Sequence, residues 1–430
     1  MSADQPRAEA PLVRAMSEVR QRIVSELLGP VPPLPPFPMG PFTPAQQAHN
    51  EEQHNSSVKK LGKIARRLED EAGSTAVRSR IVENIRLFMM ARMAAPADLA
   101  DFALDSGILQ AATSLHCALM TEHAQLSEAA MLQAIHNLLA MGSIQLVLGM
   151  RPAMTPSVMA YSLLYPLTDN LLDDMAPSLQ EKRGFHERLA RRLSGSPVAA
   201  ANEVEQRVFE MVSHIESEFS RTHTPEVFES LCEIHRAQWR GLMLQRDTEL
   251  PTATIADVTA DKGGWSVVVD GCMVVGAPAE RAATELFRFG VALQMMDDLD
   301  DAPDDAQEGH MTLFSRALQR GGVIDMPATR LFHIIDQVVQ GLDIVAAPRP
   351  GDDRRRLIRL LHLNILHIVL ESCARNAACF SPAFLATLQA HCPLPFAHLR
   401  TWSHTHASVL KLKDLRSPFV RVLGVLAACA

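Results

Sequence analysis

The residues best equipped for chemistry fall in two acidic clusters. Gln294–Asp305, QMMDDLDDAPDD, packs six aspartates into nine positions, and LLYPLTDNLLDDMAPS carries Asp169, Asp173 and Asp174 far upstream. Residues four apart on a helix lie on one face, a turn from each other. Asp169 therefore pairs with Asp173, and Asp297 with Asp301, with Asp298 adjacent and Asp174 directed elsewhere. Both clusters end an apolar helical run, and both precede a proline, Pro177 and Pro303. The helix macrodipole is negative at such an end, so added carboxylates are unfavourable there without a cation. A solvated acidic loop would account for either cluster alone; matched spacing and position ask for a shared cause. A calcium loop of the EF-hand type requires glycine at its sixth position, and counting from Asp298 puts Pro303 there. Pro303 also biases Ala302 away from helical geometry. That predicts Asp304 and Asp305 on a loop and leaves Asp297, Asp298 and Asp301 as the working set.

Magnesium suits the pair of clusters. It takes hard oxygen ligands, keeps several waters, and combines one or two carboxylates with substrate phosphates. Two helices with such faces at the mouth of a bundle can hold several ions around one diphosphate. The ions would neutralise the leaving pyrophosphate, while an apolar interior shelters a hydrocarbon and its carbocation from water.

The elements that must position these faces are helices. VKKLGKIARRLEDEA, AVRSRIVENIRLFMMARMA, EAAMLQAIHNLLAMGSIQLVLGM and ERAATELFRFGVALQMMDD all place apolar residues at three- and four-residue intervals. WSVVVDGCMVV is valine-rich enough for a strand, but one isolated strand makes no sheet, so a buried helix is expected. The fold class is all-α, a helical bundle whose centre is where such folds place ligand sites. The proline-rich segment Gly29–Gln46 reads as an extended spacer. It divides residues 1–55, with a short amphipathic helix, from a helical domain over residues 56–430.

Bulk properties narrow the classes further. A net charge of -8 and a pI of about 6.1 argue against a nucleic-acid surface. Seven scattered cysteines lack CxxC spacing and fit reduced thiols in a cytosol. The N-terminus shows no signal-peptide pattern. The longest apolar runs fall short of the roughly 20 residues that span a bilayer, so a soluble, cytoplasmic protein is expected.

The two segments DNLLDD and GVALQMMDDLDDAPDDAQEGHMTLF resemble the first and second aspartate-rich motifs of class I isoprenoid synthases, the all-helical prenyltransferases and terpene synthases. Gln294 takes the glutamine position of the second motif. ADKGGWSVVVDG resembles the lysine segment ahead of it, and that resemblance marks Lys262 as a candidate diphosphate ligand. The arrangement is most similar to bacterial large terpene synthases, and the likeness covers roughly residues 155–320. It implies an isoprenoid-synthase-like bundle with a central apolar cavity, three magnesium ions and a prenyl diphosphate substrate. Chain-elongating members carry a G-K-x-x-R motif just before the first cluster; here GKIAR (Gly62–Arg66) lies over a hundred residues upstream on a charged helix. The arginine pair that follows the first motif in those enzymes is replaced by Met175, Ala176 and Pro177, with Arg183 further on. Ionisation of one prenyl diphosphate is therefore favoured over elongation or head-to-head condensation. The Asn/Asp–Ser/Thr–Glu triad of many cyclases is also absent. A non-catalytic partner subunit of the same fold is the reading from another class, and intact aspartates in both clusters argue against it.

Other residues complete the expected site. Tyr165 precedes Asp169 by one turn on the same face, where a bulky residue limits chain length in elongating relatives; an ordinary core tyrosine is the alternative. Pro166 makes that helix kink or begin. Arg236 and Arg240, four apart ahead of Lys262, are candidates to grip pyrophosphate, although a solvated face suits Arg236 as well. Arg288 is expected to face elsewhere. His391, Cys392, His398, His404 and His406 match no zinc spacing. DDRRRLIRLLHLNILHIVL is a basic amphipathic stretch suited to peripheral membrane contact, or to packing on the bundle. Aromatics are only 5% of the chain, which fits a long flexible substrate and simple chemistry better than multi-ring cyclisation. The sequence leaves the oligomeric state open, a homodimer included.

Overall fold

A computed structural model describes residues 10–71, 75–173, 177–244, 250–349 and 351–406. Asp174, Met175 and Ala176 fall outside this set, as does the side chain of Asp173. Every regular element among the described residues is helical. The first nine are α1 (Pro11–Leu28), α2 (Pro44–Glu71), α3 (Thr75–Met93), α4 (Ala97–Asp105), α5 (Ile108–Glu122), α6 (Glu128–Val147), α7 (Pro156–Asp173), α8 (Leu179–Leu193) and α9 (Glu203–Glu218). They are followed by α10 (Pro225–Leu244), α11 (Thr252–Val275), α12 (Glu280–Asp300), α13 (Ala302–Glu308), α14 (Leu313–Gln319), α15 (Asp325–Val345), α16 (Asp353–Arg375), α17 (Pro382–His391) and α18 (Phe396–His406).

Local chemistry sets several helix starts. Ser127 and Asn202 accept a hydrogen bond from the backbone three residues on, at the starts of α6 and α9. Ser178 and Glu181 form a capping box on α8, and Thr312 with Ser315 does so on α14. Each satisfies donors that the first helical turn leaves unpaired.

Helix α11 is the hub and packs against α1, α6, α7, α10, α12 and α14. It is buried over most of its surface from Ile255 through Met273, and its charged residues Asp257, Asp261 and Lys262 stand toward its N-terminal half. The valine run is part of it, as a buried helix. Helix α1 buries Leu12, Met16, Val19, Ile23 and Leu27 at three- and four-residue steps and belongs to the main core. The proline-rich segment after it is docked: Arg330 donates to the Gly29 carbonyl at 3.0 Å, and Phe37 stacks on His391 with centroids 4.5 Å apart. Helices α6 and α16 are long and apolar enough to cross a membrane by length and composition. Within the fold, 56% and 72% of those windows are buried, as in core helices.

Helices α11 and α12 approach each other closely at three glycines. A Cβ built on Gly290 would lie 2.0 Å from the Gly263 carbonyl oxygen, and one on Gly263 would lie 2.5 Å from that of Gly290. One on Gly264 would run into the Phe287 ring at 2.3 Å. Only glycine at these positions lets the two backbones meet. The crossing sits about two turns below the acidic end of α12, so it sets the spacing of the residues described next.

Candidate functional site

Lys262 is where the two clusters meet. Its ammonium, on α11, lies 3.1 Å from Asp169 Oδ1 and 3.2 Å from Oδ2, on α7. The same charge draws down the carboxyls of Asp297, Asp298 and Asp305 on α12 and α13. Asp169 in turn adds its repulsion to Asp297. Two segments more than a hundred residues apart thus share one electrostatic site.

The carboxyls are crowded beyond what one lysine offsets. Asp297 is accessible to solvent, yet the protein packed around it raises its pKa to about 7, with Asp298, Asp301 and Asp169 adding to the rise and Lys262 opposing it. Asp298 is buried and also raised to about 7 by burial, against hydrogen bonds from Gln294 Nε2 at 2.8 Å and Thr259 Oγ1 at 3.4 Å. Asp301 is raised by its surroundings and by Asp300 and Asp304. Asp305 is raised to about 7 by burial, then by Asp301 and Asp297. Carboxyls raised this far show that one lysine does not balance the negative charge gathered here. Among the described residues no three His, Cys, Asp or Glu side chains converge as a ready-made metal cage. A magnesium ion that shares its shell with water and phosphate does not require one.

Asp305 corrects the sequence expectation. Asp304 and Asp305 are not loop residues: the chain breaks at Asp301 (φ -90°, ψ 3°) and restarts as α13, with Pro303 in its first turn. Proline costs nothing there, because its missing N–H would have no partner in a helix start. The new turn folds Asp305 back toward Asp297 and Asp301, and His310 Nδ1 lies 3.4 Å from its carboxyl. The break is held by α16. Asn376 donates to the Leu299 and Asp300 carbonyls at 2.7 and 2.8 Å, and Arg375 pairs with Asp300.

The first cluster has its own supports. Gln238 on α10 accepts from Thr168 Oγ1 at 3.2 Å and reaches Asp169 Oδ1 at 3.4 Å. Lys182 on α8 is 4% exposed and donates to the Leu172 carbonyl in the last turn of α7. A buried cation there offsets the negative helix end that Asp169 and Asp173 share. Asp173 closes α7, its side chain outside the described set. Tyr165 is half-buried beside Tyr161, ring centroids 6.2 Å apart, on the face that ends at Asp169. Helix α7 runs through Pro166 rather than beginning there.

The arginines are engaged elsewhere. Arg236 is 65% exposed and pairs with Glu233. Arg240 pairs with Asp257 and lies 3.5 Å from Asp261, two aspartates that also hold Arg20 of α1. Arg288 bonds Glu26 and Gln337, away from the site as expected. Arg183 and Lys63 are exposed. His391 bonds the Met39 carbonyl at 2.9 Å and His398 faces His54 at 3.2 Å, so these two histidines serve different contacts.

Lys182, Gln238, Thr259 and the α11–α12 glycines were not found by sequence reasoning. Gly263, Gly264 and Gly290 inside apolar helices carried a signal, since such glycines usually have a packing reason. Lys182 carried none, resembling any surface lysine of a charged helix. No protein-family model matches the chain, and no curated protein shows significant similarity to it.

Proposed function

We propose that the chain is a magnesium-dependent class I isoprenoid synthase that ionises a prenyl diphosphate. The observation that carries this reading is the shared site around Lys262: Asp169, Asp297, Asp298 and Asp305 gather near one ammonium, with Asp301 beside Asp297 and Asp305. Charge balance there needs cations from outside the chain, and the motif resemblance supplies their class. Magnesium bound with substrate provides the positive charge that a departing diphosphate requires.

The remaining work belongs to the residues. Asp169 and Asp173 would hold ions from the α7 side, and Asp297, Asp298, Asp301 and Asp305 from the α12–α13 side. Lys262 can exchange its contact with Asp169 for a phosphate oxygen. Gln294 and Thr259 fix Asp298, and Gln238 fixes Asp169, so little reorganisation is needed when charge develops. Below the mouth, the face of Tyr165 and Tyr161 leads inward to the apolar core. In this reading a central apolar cavity takes the hydrocarbon and keeps water from the carbocation.

The test offers prenyl diphosphates of increasing length to the full chain, with and without magnesium, and measures pyrophosphate release and organic products. Magnesium-dependent release from a single prenyl diphosphate is expected. Release only after a homoallylic diphosphate is added would replace ionisation with elongation. No release from any substrate would overturn the enzymatic reading and favour a binding subunit.

A further inference from the structure

Asp270 lies deep in α11, 6% exposed, with no hydrogen-bond or ion-pair partner among the described residues. A buried carboxyl without partners is expensive and uncommon in folded proteins. Its oxygens are not among the fully sealed, unpartnered polar atoms of the described residues. The small residual exposure of the residue therefore reaches its carboxyl oxygens.

Its position is bracketed by two contacts between α7 and α11. Tyr161 Oη donates to the Ser266 carbonyl at 3.1 Å, and Ser157 Oγ donates to the Met273 carbonyl at 3.3 Å. Asp270 lies between these levels, on the stripe Lys262–Ser266–Asp270 that begins at the diphosphate end of the site. At 1.5 Å per residue it is about 12 Å below Lys262. Tyr161 is 2% exposed and feels the Asp270 charge. Its one proton is given to Ser266, which leaves its oxygen free to accept. Burial pushes the Asp270 carboxyl well above the usual range, toward the neutral acid, which offers one donor and an acceptor.

We propose that Asp270 and Tyr161 form an interior seat for one hydroxyl group, supplied either by water or by an apolar alcohol. Placing the seat along the path of the hydrocarbon rests on the diphosphate reading above; the seat itself does not. A hydroxyl accepts from the carboxylic acid and donates to the tyrosine oxygen, using groups that are otherwise unpaired.

Infrared difference spectra of the full chain, wild type minus Asp270→Asn, test this in H2O and D2O, with and without a C15 prenyl alcohol. The expected result is a neutral-carboxyl C=O band that shifts in D2O and lies at a hydrogen-bonded frequency. A further shift when the alcohol is added assigns the hydroxyl to the ligand, and an unmoved hydrogen-bonded band assigns it to water; both uphold the seat. Absence of a neutral-carboxyl band, or a band at the unbonded frequency under all conditions, overturns it. If Asp270→Asn fails to fold, Asp270→Glu replaces it, and loss of the aspartic band with gain of a glutamic one is read in the same difference spectra. A wild type that releases no pyrophosphate defeats the diphosphate reading and leaves the infrared result standing.

Discussion

Adding a single methyl group at the α11–α12 crossing should damage the site without touching a charged residue. In Gly290→Ala the new Cβ would meet the Gly263 carbonyl oxygen at 2.0 Å and its carbon at 2.7 Å. Ordinary contacts need about 3.5 Å, and the obstacle is backbone, so the helices must part by about an ångström or more. Overpacking of this kind costs about 1–3 kcal/mol of stability. The parting also moves Thr259 and Lys262 away from Gln294, Asp297 and Asp298, and misplacement by about 1 Å lowers turnover on the order of a hundredfold. Gly271→Ala on the same helix is the control, because its Cβ at 2.5 Å meets Leu286 Cδ1, the movable end of a side chain. Denaturant unfolding and pyrophosphate release are measured on both. The expected outcome is a folded but destabilised Gly290→Ala with release reduced about a hundredfold, and a Gly271→Ala close to wild type. Unchanged stability and release in Gly290→Ala would refute the idea that this crossing spaces the site.

Three further outcomes follow from the same geometry. Asp297, Asp298 and Asp305 sit near 7 when folded, against an ordinary value of 3.8, so the metal-free folded chain keeps protons that the unfolded chain has lost. Its stability should therefore be full below about pH 4 and fall as pH rises through about 7; thermal melts from pH 5 to 8 check this, and magnesium should restore the loss at the alkaline end. Lys262→Met removes the charge that lowers these carboxyls, so magnesium binding, followed by calorimetry across pH, should need a higher pH than in wild type. Arg236→Ala removes an exposed pair with Glu233, which is worth little, and pyrophosphate release should stay unchanged.

The helical class was legible because apolar residues recur at helical spacing along most of the chain, and even the valine run of α11 could be read as helix for want of a second strand. Asp169, Asp297 and Asp298 were legible because paired carboxylates at the ends of apolar helices are a local, repeated pattern, whereas Lys262 was singled out only by the motif resemblance of its segment. What failed to show was tertiary. Asp305 was set aside because proline ends a helix; the same proline can open the next, and only the turn that follows decides where the carboxylate points. Arg240 reads as a free cation in sequence, whereas Arg20, Asp257 and Asp261 from two other helices enclose it in a charge network. Lys182 and Gln238 act through contacts with α7 that no spacing rule reveals.

The central claim is that α7 and α12–α13 build one metal–diphosphate site. A crystal structure of the full chain grown with manganese and inorganic pyrophosphate, with metal positions taken from anomalous scattering, tests it most directly. The account predicts ions bridging pyrophosphate to Asp169 on one side and to Asp297 or Asp301 on the other, with Lys262 on a phosphate oxygen. Ions confined to one cluster, or pyrophosphate bound away from Lys262, would contradict it.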